Sequence, residues 1–297
     1  MDRDLVSLFG APPISVLDVK QSYWKARRQN WNSMGLNSSE GRQENLLKQS
    51  KLLNSKTSGT SIFDPVLCEL LLNWFSKEGD VVYDPFAGGN VRGIVSSYLG
   101  RHYIGVDVRK GQVETNRSSL ERLDCCSKTH KPKWVIDDGT TFVPPRCNFI
   151  LTCPPYYDLE VYSDQANDLS TMNAKQFESG YLSAIEKCAK ALRKNSFAAW
   201  VVGDVRGPDG FYLGLPQKTV SMFESVGLKL YNEMVLLQEP ATAAMRSFKY
   251  MNTSRKIAKC HQNVLVFCKG SPSLATKRLG SVNIKHKQEP VTDSMFG

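Results

Sequence analysis

DVVYDPFAGGNVRGIVSSYLGRHYIGVD, residues 80–107, is the stretch that decides the fold. A short apolar run breaks at Pro85 into a glycine turn, continues as a helix-like segment and closes on a second apolar run. Strand, turn, helix, strand is the unit of a parallel sheet, because parallel neighbours need a crossover between them. Gly88 and Gly89 allow a sharp turn and let a ligand approach main-chain N–H groups. Asp84 and Asp107 stand at the carboxyl ends of the two strands, where ligands of open α/β sheets bind.

The alternation continues on both sides. Upstream, Asp64 and Pro65 read as the cap and first turn of a helix over 64–75. Downstream, strands are expected at 133–137, 148–152, 196–205, 228–239 and 261–270, with helices over 110–123, 174–194 and 216–227. That makes seven strands in a mostly parallel sheet with helices on both faces. No long helix separates the last two strands, so they are expected to pair as an antiparallel edge unit. The chain then divides into a basic N-terminal arm and linker (1–60), one α/β domain (61–270) and a basic, disordered tail (271–297). In the arm, Trp24 and Trp31 interleave with Lys25, Arg27 and Arg28. Either a helix packs these tryptophans on the domain, or the arm lies along a phosphate backbone.

Composition narrows the partners. The chain has 297 residues, is 41% hydrophobic and carries a net charge of +9, a balance that suits a polyanion. Its eight cysteines form no C-x-x-C pair. Cys125, Cys126 and His130 lack an evident fourth ligand, so no metal is expected. The opening MDRDLVSLFG is charged at once, and no apolar run reaches membrane-span length. The expectation is a cytoplasmic protein with reduced thiols.

The other strand ends complete a candidate pocket. The third expected strand ends on Asp137 and Asp138, and the fourth runs into TCPPYY, residues 152–157. The glycine turn is neither G-x-x-x-x-G-K-[ST] nor a clean G-x-G-x-x-G, which excludes a P-loop. Two carboxylates beside the pocket disfavour a pyrophosphate and suit a positively charged nucleoside.

Taken together, residues of about 61–270 resemble the S-adenosylmethionine-dependent DNA amino-methyltransferases, with a Rossmann-like seven-stranded methyltransferase sheet. DPFAGG is similar to that family's cofactor loop, commonly D-P-F-x-G-S-G. The helix over 64–75 is similar to its element capping the methionine end of the cofactor, IGVD to its ribose-binding strand end and IDDG to its adenine-contacting turn. TCPPYY is similar to its catalytic [D/N/S]-P-P-[Y/F/W], and HQNVLVFCKG to its closing strand. The resemblance implies that Phe63, Asp84, Phe86, Gly88, Gly89, Asp107 and Asp138 bind S-adenosylmethionine. It also implies that Cys153, Pro154, Pro155 and Tyr156 form the catalytic lip.

The chemistry suits those residue types. The lone pair of an aromatic amine is delocalised into its ring, so acceptors must polarise the N–H groups and hold the nitrogen in line with the methyl donor. In the family the Pro154 carbonyl is one acceptor and the residue before it another, while Tyr156 stacks on a base flipped out of the duplex. Two prolines fix the turn and bring no competing N–H.

Two positions depart from the pattern. Cys153 stands where Asp, Asn or Ser is usual, and a thiol is a weak acceptor. Its likeness to serine in shape favours cytosine N4 over adenine N6. As a thiolate it also opens a pyrimidine C5 reading, although Pro precedes Cys in the usual C5 arrangement. Asn90 stands where glycine is common. Other readings of the same fold are an enzyme acting on RNA or on a protein glutamine, and a DNA-binding subunit without turnover.

No segment has room for a large target-recognition domain. Arg246, Lys249, Arg255, Lys256 and Lys259, with Phe248 and Tyr250 among them, make residues 241–263 the expected nucleic-acid-binding loop. A reader this small implies a short target sequence or a protein partner that supplies specificity. Asp158 and Glu160 in the loop after TCPPYY, and Gly203, Asp204 and Arg206 at the fifth strand end, are expected on the same rim.

Overall fold

A computed structural model of the chain describes residues 2–37, 63–123, 129–156, 169, 172–238, 243–282 and 284. The expected linker, Cys125 and Cys126, Tyr157 and the loop carrying Asp158 and Glu160 lie outside the described residues.

The elements run α1 (Asp2–Phe9), β1 (Val16–Asp18), α2 (Ser22–Ser33), α3 (Pro65–Phe75), β2 (Val81–Asp84), α4 (Val91–Tyr98), β3 (His102–Asp107), α5 (Lys110–Leu120), β4 (Lys133–Ile136), β5 (Cys147–Thr152), α6 (Ala174–Ala191), β6 (Leu192–Val202), α7 (Leu215–Ser225), β7 (Lys229–Leu237), α8 (Ala243–Ser254), β8 (His261–Lys269) and α9 (Pro272–Leu279). The strands form one sheet in the order β1-β7-β8-β6-β5-β2-β3-β4. Only β8 runs against its neighbours, pairing antiparallel with both β6 and β7. The seven expected strands are present, and β1 adds an eighth, parallel to β7 at the edge. Three residues are too few to show a strand period in the sequence.

Both faces of the sheet are covered, so the central strands read as continuous apolar runs. Alternate residues of β6 serve separate cores. Phe197, Ala199 and Val201 point into the one built with α2, α3 and α4, while Ala198, Trp200 and Val202 point into the one built with α6 and α7. On α3, Asp64 caps the helix by accepting from the N–H groups of Val66 and Leu67, and Pro65 fills its first turn, as its sequence implies.

The N-terminal residues are part of this core. Trp24 and Trp31 are fully buried, and their indole N–H groups donate to Asp64 Oδ2 (3.1 Å) and Glu69 Oε2 (3.0 Å) of the α3 region. Arg27 pairs with Glu69, and Arg28 with Asp64 at 2.5 Å. Of the two readings of the arm, the packed helix is therefore the one observed. Expected disorder is corrected over 272–279. There α9 starts at Ser271, whose hydroxyl accepts from the Leu274 N–H, buries Ala275 and ties to β2 through Arg278 and Asp80 at 2.8 Å. Among the described residues, no helix is long and apolar enough to cross a membrane.

Candidate active site

At the end of β2, Asp84 is fully buried and holds four donors. Its Oδ1 accepts from the Phe86 N–H (3.1 Å) and Thr152 Oγ1 (2.6 Å), and its Oδ2 from Arg92 Nε (2.5 Å) and Tyr103 OH (2.7 Å). That fills the acceptor capacity of a carboxylate. Asp84 thus shapes the site from beneath, without surface for a ligand. Arg92, in the first turn of α4, donates to the carbonyls of Phe86 (2.7 Å) and Ala87 (2.9 Å) and lies 4.5 Å over the Phe63 ring. Burial is the largest single influence and works against its charge, but the Asp84 carboxylate, Tyr103 and Cys153 together outweigh burial and hold the guanidinium protonated above its ordinary range. Burial, reinforced by Asp84, likewise keeps the Tyr103 phenol protonated.

Gly88 adopts φ +52°, a left-handed conformation that favours glycine. Its N–H donates to Asp107 Oδ2 at 2.8 Å, and a Cβ placed there would meet nothing within 4 Å, so the loop opens onto free space at this point. Asp107 Oδ1 accepts from the N–H (2.9 Å) and Nε (3.3 Å) of Arg109. Gly89 is half-buried beside Asn90. Asn90 has φ −77° and needs no glycine; its buried amide donates to Ser119 Oγ at 3.1 Å, tying the loop to α5.

At the end of β4, half-buried Asp138 turns the chain by accepting from the Thr140 N–H at 2.8 Å. The next residue, Gly139, is pressed on the β2 loop so closely that a Cβ would lie 2.0 Å from the Pro85 carbonyl oxygen. The three strand ends expected to hold a nucleoside are therefore one connected surface.

Thr152 closes β5, and Cys153 to Tyr156 follow it directly. Cys153 Sγ lies 3.2 Å from Tyr156 OH, which also accepts from Gln262 Nε2 of β8 at 2.7 Å. Gly203, after β6, backs the Tyr156 ring: a Cβ there would stand 3.5 Å from it. Pro154 is buried and Pro155 half-buried. Thr152 links this strand end to Asp84, so the glycine loop and the PPY turn share one carboxylate.

The expected nucleic-acid loop is corrected in form: residues 243–254 are helix α8, whose 3.6-residue period is masked in the sequence by its small and basic residues. Lys249 and Arg255 are exposed, and Tyr250 and Lys256 half-buried; the side chain of Arg246 lies outside the described part. Asp204 is half-buried, and its Oδ1 accepts from the N–H groups of Val205, Gly214 and Leu215, at 3.0–3.3 Å, and so holds the loop before α7. Among the described residues no group of three or more His, Cys, Asp or Glu could hold a metal.

Sequence reasoning missed Arg92, Tyr103, Thr152, Gly139 and Gln262. Arg92 left a signal: a cation in the first turn of a helix opposes the dipole and needs a partner. The others gain their roles only through contacts across the sheet.

Residues 18–118, about a third of the chain, match a family described as DNA methylase, of the N6/N4 type. Two curated relatives are similar over short segments. The type II methyltransferase M2.DpnII of Streptococcus pneumoniae is 40% identical over 55 residues, 18% of this chain and 20% of that one. The type II methyltransferase M.HindIII of Haemophilus influenzae is 34% identical over 61 residues, 20% of each chain. These matches span about a fifth of each relative's length. A solved structure assigned as an RNA methyltransferase, from Pyrococcus horikoshii, superposes with a TM-score of 0.51 at 15% identity, covering 83% of this chain and 100% of that one, and shares the fold. The resemblance to the amino-methyltransferases holds over the matched residues, which include the glycine loop and Asp107.

Proposed function

We propose that the protein is an S-adenosylmethionine-dependent methyltransferase that modifies an exocyclic amine in DNA, with cytosine N4 as the favoured acceptor. The observation that carries this reading is the shared Asp84. One buried carboxylate ties a glycine loop that fits a nucleoside to a PPY turn that fits a planar amine. The residues suit the cofactor: Gly88 faces open space, Asp107 and Asp138 stand at neighbouring strand ends, and Phe63 and Phe86 flank the loop through Arg92. The bound cofactor would supply an electrophilic methyl group on a sulfonium sulfur.

This chain's residues do the rest. Tyr156, buried at the end of the PPY turn, backed by Gly203 and held at its hydroxyl by Gln262, is the ring on which a flipped base would stack. The Pro154 carbonyl accepts from the amine and stabilises the charge that develops on nitrogen. Cys153 sits beside it with a small, weakly polar group, closest to serine in shape. Basic residues of α8 and the turn after it contact phosphates, and the expected location is the cytoplasm.

The test is incubation with methyl-labelled cofactor and bacteriophage λ DNA, followed by nucleoside mass spectrometry. N4-methylcytosine is the expected product. N6-methyladenine would correct the base, 5-methylcytosine would replace the mechanism, and label appearing only in RNA offered in parallel would overturn the substrate.

A further inference from the structure

Between β6 and α7 the chain makes a tight hairpin that the reading above does not use. Arg206 and Tyr212 pair as an antiparallel bridge, the Gly207 N–H donates to the Phe211 carbonyl (2.8 Å), and the Leu213 N–H donates to the Val205 carbonyl (2.9 Å). Gly210 turns the tip at φ +89°. Asp204 clamps the base of the hairpin to the start of α7. The Arg206 guanidinium stacks 3.9 Å over the Tyr212 ring and donates to the Gly210 carbonyl at 2.9 Å. All this order presents Phe211 to solvent, 74% exposed, beside the less exposed Tyr212.

A lone exposed phenylalanine is ordinary on a protein surface. Three facts set this one apart. It is held rigidly, so inserting it elsewhere costs little ordering entropy. Cations stand at both of its chain neighbours: a Cβ on Gly210 would touch Lys256 Nζ at 2.9 Å, and the Tyr212 ring has the Arg206 guanidinium 3.9 Å away and Lys259 Nζ 5.8 Å away. And it sits beside the base pocket. Phe211 lies opposite Gly207, four residues from the Gly203 that backs Tyr156, so at most about 14 Å of extended strand separates hairpin and pocket.

Resting on the methyltransferase reading, we propose that Phe211 is a wedge for duplex DNA. It enters the base stack beside the target and fills the space that the flipped base leaves, while Arg206, Lys256 and Lys259 hold the flanking phosphates. Apolar wedges unstack base steps in this way in proteins that kink DNA, and a rim of cations supplies the attraction that brings them there.

The experiment compares Phe211→Ala and Phe211→Leu with the unaltered protein on λ DNA, either native or heat-denatured. A wedge matters only where a stack must be opened. Phe211→Ala should methylate native DNA at least tenfold more slowly yet stay within about twofold on denatured DNA, and Phe211→Leu should recover most of the native-DNA rate. Equal loss on both forms, or no loss on either, would overturn the proposal. A second readout needs no turnover: relaxation of a plasmid by topoisomerase in the presence of the protein reports unwinding. The unaltered protein should unwind the duplex and Phe211→Ala should not, at matched DNA occupancy. Unwinding that persists in Phe211→Ala refutes the wedge even if the enzyme reading stands. Unwinding that depends on Phe211 without any methyl product supports the wedge and sinks the enzyme reading.

Discussion

Replacing Arg92 by Met isolates the element on which the candidate site depends. The guanidinium is 4% exposed and makes three hydrogen bonds of 2.5–2.9 Å, to Asp84 and to the carbonyls of Phe86 and Ala87. Methionine keeps much of the aliphatic stem, so cavity formation adds little. The main loss is electrostatic. Asp84 keeps its neutral donors Tyr103, Thr152 and the Phe86 N–H but loses its only ion-pair partner among the described residues. Breaking a buried pair from one side costs about 3–5 kcal/mol. At about 2–4 °C per kcal/mol for a chain of this class, Tm should fall by about 6–20 °C. The double variant Asp84→Asn/Arg92→Met removes the stranded charge and should recover part of that loss, because taking out both partners is milder than taking out one. Circular-dichroism melts of the four proteins close the cycle, and calorimetry with S-adenosylmethionine should show at least tenfold weaker binding for Arg92→Met. A single variant that melts within 2 °C of the parent, or a double variant less stable than Arg92→Met, would refute the hub.

Three further outcomes are expected. Gly88→Ala should cost about 1–2 kcal/mol in urea unfolding, since only backbone strain at φ +52° opposes it, whereas Gly139→Ala should cost more because its Cβ meets the Pro85 backbone; equal losses would contradict the close approach of the two loops. Tyr156→Ala should reduce methyl transfer at least a hundredfold with cofactor affinity kept, while Tyr156→Phe, which retains the ring and strands Gln262, should fall less; rates that rank the other way would remove stacking from the account. Burial lowers Lys259 below its ordinary 10.5 against the opposing pull of Asp204. Below the folded value the buried charge carries its full cost, and as pH rises toward 10.5 the unfolded chain holds the extra proton, so stability should rise; Lys259→Met should flatten that slope in urea midpoints taken against pH.

Wherever a strand and its following turn are contiguous, the fold was legible. DVVYDPFAGG carries its own strand, break and helix start, and Asp64–Pro65 its own cap, so β2, α3 and α4 could be placed from local chemistry. What failed was decided at a distance. Val16–Asp18 becomes a strand only because β7 offers an unpaired parallel edge. The segment after Gly270 looks too polar to order, yet Arg278 finds Asp80, nearly two hundred residues earlier in the chain. The site divides in the same way: Gly88, Asp107 and Tyr156 announce themselves by type and position, but the use of Asp84 as an internal brace and the clamp of Gln262 on Tyr156 depend on sheet order.

The link from Thr152 through Asp84 to the Phe86 N–H also sets a mechanical tolerance. Donor and acceptor half-sites are joined by two hydrogen bonds on a single oxygen, with no flexible loop in the path. A shift of the glycine loop is passed to the PPY turn almost undiminished, and misplacement by about 1 Å is enough to slow an aligned transfer by about a hundredfold. Grafting a different four-residue acceptor motif after Thr152, to redirect the proposed methyl transfer from one amine to another, should therefore succeed only when Thr152 and its hydroxyl are carried along with the graft.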